Sequence, residues 1–138
     1  MKLKSILLAV LATTVLLAKD ITIPFNELPK NTQEFIFENF GKDKIALAKK
    51  DRDSYEVVLK DGTEIDFMLN GEWKELDGKH KALPYSILPL IMEKISATES
   101  NAQILELSKK TNGYKFKLSN GMEIYTDTQG NILRKKLD

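Results

Sequence analysis

Apolar and polar residues alternate through Tyr55, Val57 and Leu59, with Glu56, Val58 and Lys60 between them. The alternation resumes through Ile65, Phe67 and Leu69. A period of two predicts strands that bury one face. Asp61-Gly62 and Asn70-Gly71 separate these runs as hairpin-turn signals. Ile45 and Leu47 alternate with Ala and Lys to predict a strand before them, and Trp73 with Glu75 begins a fourth. Upstream the period changes. Phe35, Ile36 and Phe40 form a stripe at helical spacing, with Pro29 suited to the first helical position and Gly41 to the end. Ile21 to Phe25 reads as an extended lead-in or a short edge strand, since it contains Pro24.

The order then recurs. Leu83-Pro84 precedes Ile87, Ile91 and Ile95, four apart on a helical stripe in which Pro89 should delay or kink the helix. Ile104, Leu105 and Leu107 mark the next strand. Tyr114, Phe116 and Leu118 follow, then the turns Asn120-Gly121 and Gln129-Gly130, with Ile132 in the place of Trp73. Tyr55–Gly71 and Tyr114–Gly130 match at a constant shift of 59 residues, sharing Tyr, Leu, Gly, Glu, Ile and Gly. The expected fold is α+β: two tandem repeats, each a helix packed on an antiparallel meander of about four strands. They are expected at 27–77 and 82–138, after a lead-in at 19–26, with Asp77 to Lys81 as a polar hinge.

The first eighteen residues obey a different rule. Lys2 and Lys4 precede an apolar run from Ser5 to Leu17, and Ala18 meets the charged pair Lys19-Asp20. This is the pattern of a secretory signal peptide, and the run is short for a bilayer span. With no cysteine there is no disulfide, lipid-anchored Cys or thiolate metal site. An exported chain without disulfides fits a bacterial periplasm. Without Lys2 and Lys4 the chain carries 19 basic and 20 acidic groups. So even a balance predicts neither a nucleic-acid footprint nor a charge-driven membrane role.

Candidate chemistry is sparse. His80, the single histidine, sits between Lys79 and Lys81, where a cation is disfavoured, and no second histidine supplies ligand spacing. Ser54 and Ser86 lack the context of a nucleophile. Asp51, Asp53, Asp61, Glu64 and Asp66 form one acidic group, and Asp127 with Asn131 another. Neither has a complete calcium-loop pattern, and Asp61 and Asp127 also suit hairpin turns. Glu64 and Glu123 occupy matching positions, a pairing that glycosidase chemistry could use and that a shared structural role explains better. Neither a catalytic residue nor a cofactor is assigned.

The layout Leu-Pro, helix, strand, then Tyr-x-Val/Phe-x-Leu-x-Asp/Asn-Gly-x-Glu-Ile and Gly-x-Trp/Ile resembles the PepSY-like family, also described as beta-lactamase-inhibitor-like. Asp61 to Phe67 followed by Asn70 to Lys74 is the most typical stretch, and the resemblance spans about Glu27 to Asp138. It implies small exported bacterial proteins built of tandem helix-plus-sheet modules, in which an exposed sheet face can serve as a protein-binding platform. It carries no catalytic residue over to this chain.

The sequence thus predicts a non-enzymatic periplasmic binding module that meets an exported protein partner through an exposed sheet face, in an inhibitor- or chaperone-like role. The expected contact residues are Glu64, Asp66, Met68, Trp73, Glu123 and Tyr125, because an aromatic residue and a Met among charges on an open sheet suit an interface. The alternative is a small-ligand or divalent-cation-binding sensor using the acidic turn residues. An enzyme acting on cell-wall or peptide substrates ranks third.

Overall fold

The structure is a computed structural model that describes residues 20–138. The expected signal peptide, residues 1–18, lies outside the described residues. The strands are β1 (Ile21–Thr22), β2 (Ile45–Lys50), β3 (Ser54–Leu59), β4 (Glu64–Met68), β5 (Trp73–Asp77), β6 (Ile104–Lys110), β7 (Gly113–Leu118), β8 (Met122–Asp127) and β9 (Ile132–Leu137). The helices are α1 (Lys30–Phe40) and α2 (Pro89–Thr98), each preceded by a single 3-10 turn, Phe25–Glu27 and Tyr85–Ile87. Pro89 opens α2 instead of interrupting it. Its missing N–H falls where a helix has no partner to offer.

The expectation of two tandem helix-on-meander repeats is corrected by the sheet. All nine strands form one antiparallel sheet in sequence order, β1 to β9. Strands β5 and β6, on either side of the expected hinge, pair through Glu75 with Ser108, Leu76 with Leu107 and Asp77 with Glu106. Two separate meanders would each leave an edge of unpaired N–H and C=O groups there. Joining them removes both edges and merges the apolar rows into one core. The segments that match at a shift of 59 residues therefore lie within a single sheet. The broad α+β description stands: one sheet, with both helices over one face. Asp77 to Lys81 is a turn bound to β6, with Gly78 N–H donating to Leu105 O at 2.7 Å.

The core runs straight across the strands. Val57, Ile65, Leu76, Leu107, Phe116 and Ile124 are successive cross-strand partners, and all are fully buried. Ile36 from α1 and Met92 and Ile95 from α2 close over them. The start of α1 is fixed to the β4–β5 turn by Thr32, whose buried hydroxyl donates to Gly71 O at 2.9 Å. Glycine is required at that turn on two counts: φ is +90°, and a Cβ would collide with the Asn31 side chain.

Four bulges decide which side chains reach the core. Each adds one residue to a strand, between Ile45 and Leu47, Trp73 and Glu75, Ile104 and Glu106, and Ile132 and Arg134. An extra residue reverses the alternation beyond it. Ile45 and Leu47, expected on one face, are split, and Ala48 takes the buried place opposite Val57.

Candidate protein-binding face

The second face of the sheet carries no helix. Cross-strand register sets two rows along it. The first reads Lys49, Glu56, Asp66, Glu75, Ser108, Lys115, Tyr125 and Arg134 from β2 to β9. The second reads Leu47, Val58, Glu64, Asp77, Glu106, Lys117, Glu123 and Lys136. Strands β3 to β5 thus present five carboxylates and no base in these rows. Strands β7 to β9 present Lys115, Lys117, Arg134 and Lys136.

Local ion pairs neutralise part of this charge. Lys49 lies 3.2 Å from Glu56, Lys79 lies 3.3 Å from Glu64 and 3.5 Å from Asp77, and Lys117 lies 2.8 Å from Asp138. Among the described residues, no ion pair within 4.0 Å reaches Asp66, Glu75 or Glu106 on the acidic side, nor Arg134 or Lys136 on the basic side. Burial, then the neighbouring Glu56 and Glu75, hold the Asp66 carboxyl above its usual range. Glu106 is raised in the same way, by burial first and then by Asp77.

The predicted contact residues divide between the faces. Glu64, Asp66 and Met68 share the open face on β4, and Glu123 and Tyr125 share it on β8. Glu123 is buried: the Tyr125 hydroxyl donates to it at 3.2 Å and Lys115 lies 3.6 Å away. Two cations lie over the Tyr125 ring, the Arg134 guanidinium 4.3 Å and the Lys115 ammonium 5.9 Å from its centroid. Trp73 departs from the prediction. The bulge at Lys74 turns it to the helix side, where it is 8% exposed and joins the core. There it lies between Phe35 of α1, at 6.5 Å, and Tyr114 of β7, stacked at 6.2 Å.

Glu64 and Glu123 are not brought together. They stand four strands apart in one row, about 19 Å at the usual strand spacing, whereas paired glycosidase carboxylates lie about 5–9.5 Å apart. Asp127 is engaged in its own turn, accepting from Gln129 N–H and Asn131 N–H at 2.9 Å each. The Asn131 amide also donates to it, and these bonds hold its carboxyl below the usual range. Asp61 is likewise lowered, chiefly by the Thr63 N–H. His80 is exposed on the turn that follows β5. No group of three or more His, Cys, Asp or Glu among the described residues converges to hold a metal ion. No described helix is long and apolar enough to cross a membrane. Glu106, Arg134 and Lys136 were not singled out from sequence. The signal that finds them is the register of the bulged strands β6 and β9.

A family model described as "Putative beta-lactamase-inhibitor-like, PepSY-like" matches residues 14–57 and 53–134. The chain belongs to this PepSY-like family. Comparison with curated proteins gave no match. Among solved structures, the chain is similar to a protein of Bacteroides thetaiotaomicron described as a "putative calcium-regulated periplasmic protein", with 33% identity, a TM-score of 0.78, and 85% of this chain and 96% of that one covered. A protein of Bacteroides vulgatus described as a "putative periplasmic protein" from the DUF2874 family shows 34% identity and a TM-score of 0.76 over 85% of this chain and 96% of that one. Another from the same organism, of unknown function, shows 31% identity and a TM-score of 0.77, covering 85% and 98%. The periplasmic setting of these neighbours supports an exported location.

Proposed function

We propose that the chain is a non-enzymatic periplasmic module that binds another exported protein chain through the uncovered sheet face. One observation carries this reading: acidic strands β3–β5 and basic strands β7–β9 flank β6 on that face, with Asp66, Glu75, Arg134 and Lys136 lacking ion-pair partners among the described residues. Charge laid out in this way steers association and selects partners by complementarity. The family description supports the inhibitor-like form of this role. Capture from periplasmic extract tests the reading. The wild-type chain is expected to retain an exported protein that the double variant Asp66→Lys/Glu75→Lys releases. Equal recovery by both would overturn it.

A second reading, a divalent-cation or small-ligand sensor, is favoured by the neighbour described as calcium-regulated. Calorimetric titration with Ca²⁺, Zn²⁺ and Mg²⁺ decides it, and an absence of heat removes the cation arm.

A further inference from the structure

We infer that the protein chain seated on the open face is a second copy of this chain, joined face to face about a two-fold axis running along β6. This rests on the reading of that face as a contact surface, and it names the partner. The two rows are arranged in opposite charge about β6. In the first, Glu56, Asp66 and Glu75 on one side of Ser108 answer Arg134, Tyr125 and Lys115 on the other. In the second, Asp77 answers Lys117 across Glu106.

A two-fold axis parallel to the strands keeps each row level and exchanges its ends. It places β5 over β7, β4 over β8 and β3 over β9 of the other copy. Glu75 then meets Lys115, Asp66 meets Tyr125 with Arg134 beside it, and Asp77 meets Lys117, each contact formed twice; Lys115, Lys117 and Asp77 keep their pairs within the chain, with Glu123, Asp138 and Lys79, and share their charge with the second copy. An axis across the strands would set acid on acid instead. Aligned sheets cross at about 30°, so the pairs nearest the axis, Glu75 with Lys115 and Asp77 with Lys117, are the best kept. Glu64 meets Glu123, whose charge is already countered within its own chain by Lys115 and the Tyr125 hydroxyl. Ser108 and Glu106 face their own equivalents, on the axis itself.

The size is adequate. The seven strands that overlap, β3 to β9, present about 650 Å² per copy at the usual spacing and rise, or about 1,300 Å² for the pair, within the range of specific interfaces. A contact made mainly of exposed charge is screened by salt, so this dimer is reversible and strongest at low ionic strength.

Sedimentation of the full chain tests the inference. At about 10 mM salt, where charges act over about 30 Å, the wild type is expected to dimerise, and at about 1 M it is expected to be monomeric. Asp66→Lys/Glu75→Lys makes the first row basic on both sides of Ser108, and Lys115→Glu/Arg134→Glu makes it acidic on both sides. Each alone is expected to be monomeric, and an equimolar mixture to form a heterodimer. Glu106→Gln should strengthen the wild-type dimer. Circular dichroism checks folding, and Glu75→Gln and Lys115→Gln replace any reversal that fails to fold, with a weakened dimer expected. A wild type that stays monomeric at about 1 mM protein in low salt overturns the inference, since even a millimolar Kd would show there. So does a dimer that survives both reversals. The capture experiment separates the two readings. A monomeric wild type whose retained exported protein is still lost on face reversal sinks the second copy and leaves the binding reading standing. A monomeric wild type with unchanged capture ends both.

Discussion

The two faces of the sheet use the same strands to opposite ends. On the covered side, the row Val57, Ile65, Leu76, Leu107, Phe116 and Ile124 is apolar throughout and wholly out of water. One residue along each strand, the open side reads Glu56, Asp66, Glu75, Ser108, Lys115 and Tyr125. Burying each covered side chain is worth about 1.5–3 kcal/mol. On the open side, like charges directly opposite one another cost about 0.2–1 kcal/mol per pair. Alternating signs across the strands would have relieved that cost. Segregating them leaves it in place and creates a field with two poles. Stability is thus concentrated in one face, and the other carries its charge segregated by sign.

The sharpest way to break the contrast is Trp73→Ala. If Trp73 belongs to the covered face, the change costs about 3–5 kcal/mol, read by urea denaturation followed by circular dichroism, and leaves partner capture unaltered in the folded fraction. Loss of capture with stability unchanged would return Trp73 to the contact surface. Leu76→Ala probes the joint between β5 and β6. A loss of about 2–5 kcal/mol is expected, with fluorescence of Trp73 and circular dichroism following one transition, because the row is continuous. Two separate transitions would show that the strands on either side of the joint melt apart.

The parts of this contrast that are local in the chain were legible in the sequence. Alternation through Tyr55 to Leu59 and Tyr114 to Leu118 placed strands, the Gly62, Gly71, Gly121 and Gly130 turns bounded them, and Phe35, Ile36 and Phe40 marked a helix. What could not be read depends on partners far along the chain. The bulge at Lys74 has no local signature, so simple alternation put Trp73 beside Glu75 when the two face opposite ways. The pairing of Leu76 with Leu107 spans a helix and two turns, and without it the strands read as two meanders. The acidic row is also invisible locally. Glu56, Asp66 and Glu75 become neighbours only once three strands are in register, whereas Glu64, Asp66 and Met68 share a face on a single strand and were found.

A smaller effect separates turns that touch a helix from turns that do not. Gly130 has φ +88°, and an added Cβ would lie 2.9 Å from Ile91 of α2. Gly62 has φ +97° with nothing within 4 Å of that position. Gly62→Ala should cost about 1–2 kcal/mol from backbone strain alone. Gly130→Ala should cost measurably more, since Ile91 must also move. Equal losses in thermal melts would mean that α2 is loose enough to yield, weakening the contrast between a fixed covered face and a free one.

The smallest effect tests the open face itself. Asp66 is half-buried, and its carboxyl is raised by that burial and by Glu56 and Glu75. A raised folded value means that the folded chain holds the proton more tightly than the unfolded chain. The penalty is therefore absent below the ordinary Asp value of 3.8 and develops as pH rises through the folded value. Asp66→Asn should stabilise the chain at pH 7 by about 0.2–1 kcal/mol, the cost of like charges on facing strands, and the gain should vanish near pH 3. Asp127 runs the other way. Its carboxyl is lowered by its turn bonds, so its contribution is present at neutral pH and fades as pH falls. Asp127→Asn should be destabilising at pH 7 and neutral in acid. Melting both variants across that range decides the matter: if Asp66→Asn lowers the midpoint at pH 7, the acidic row is not under strain, and the face is an ordinary solvated surface.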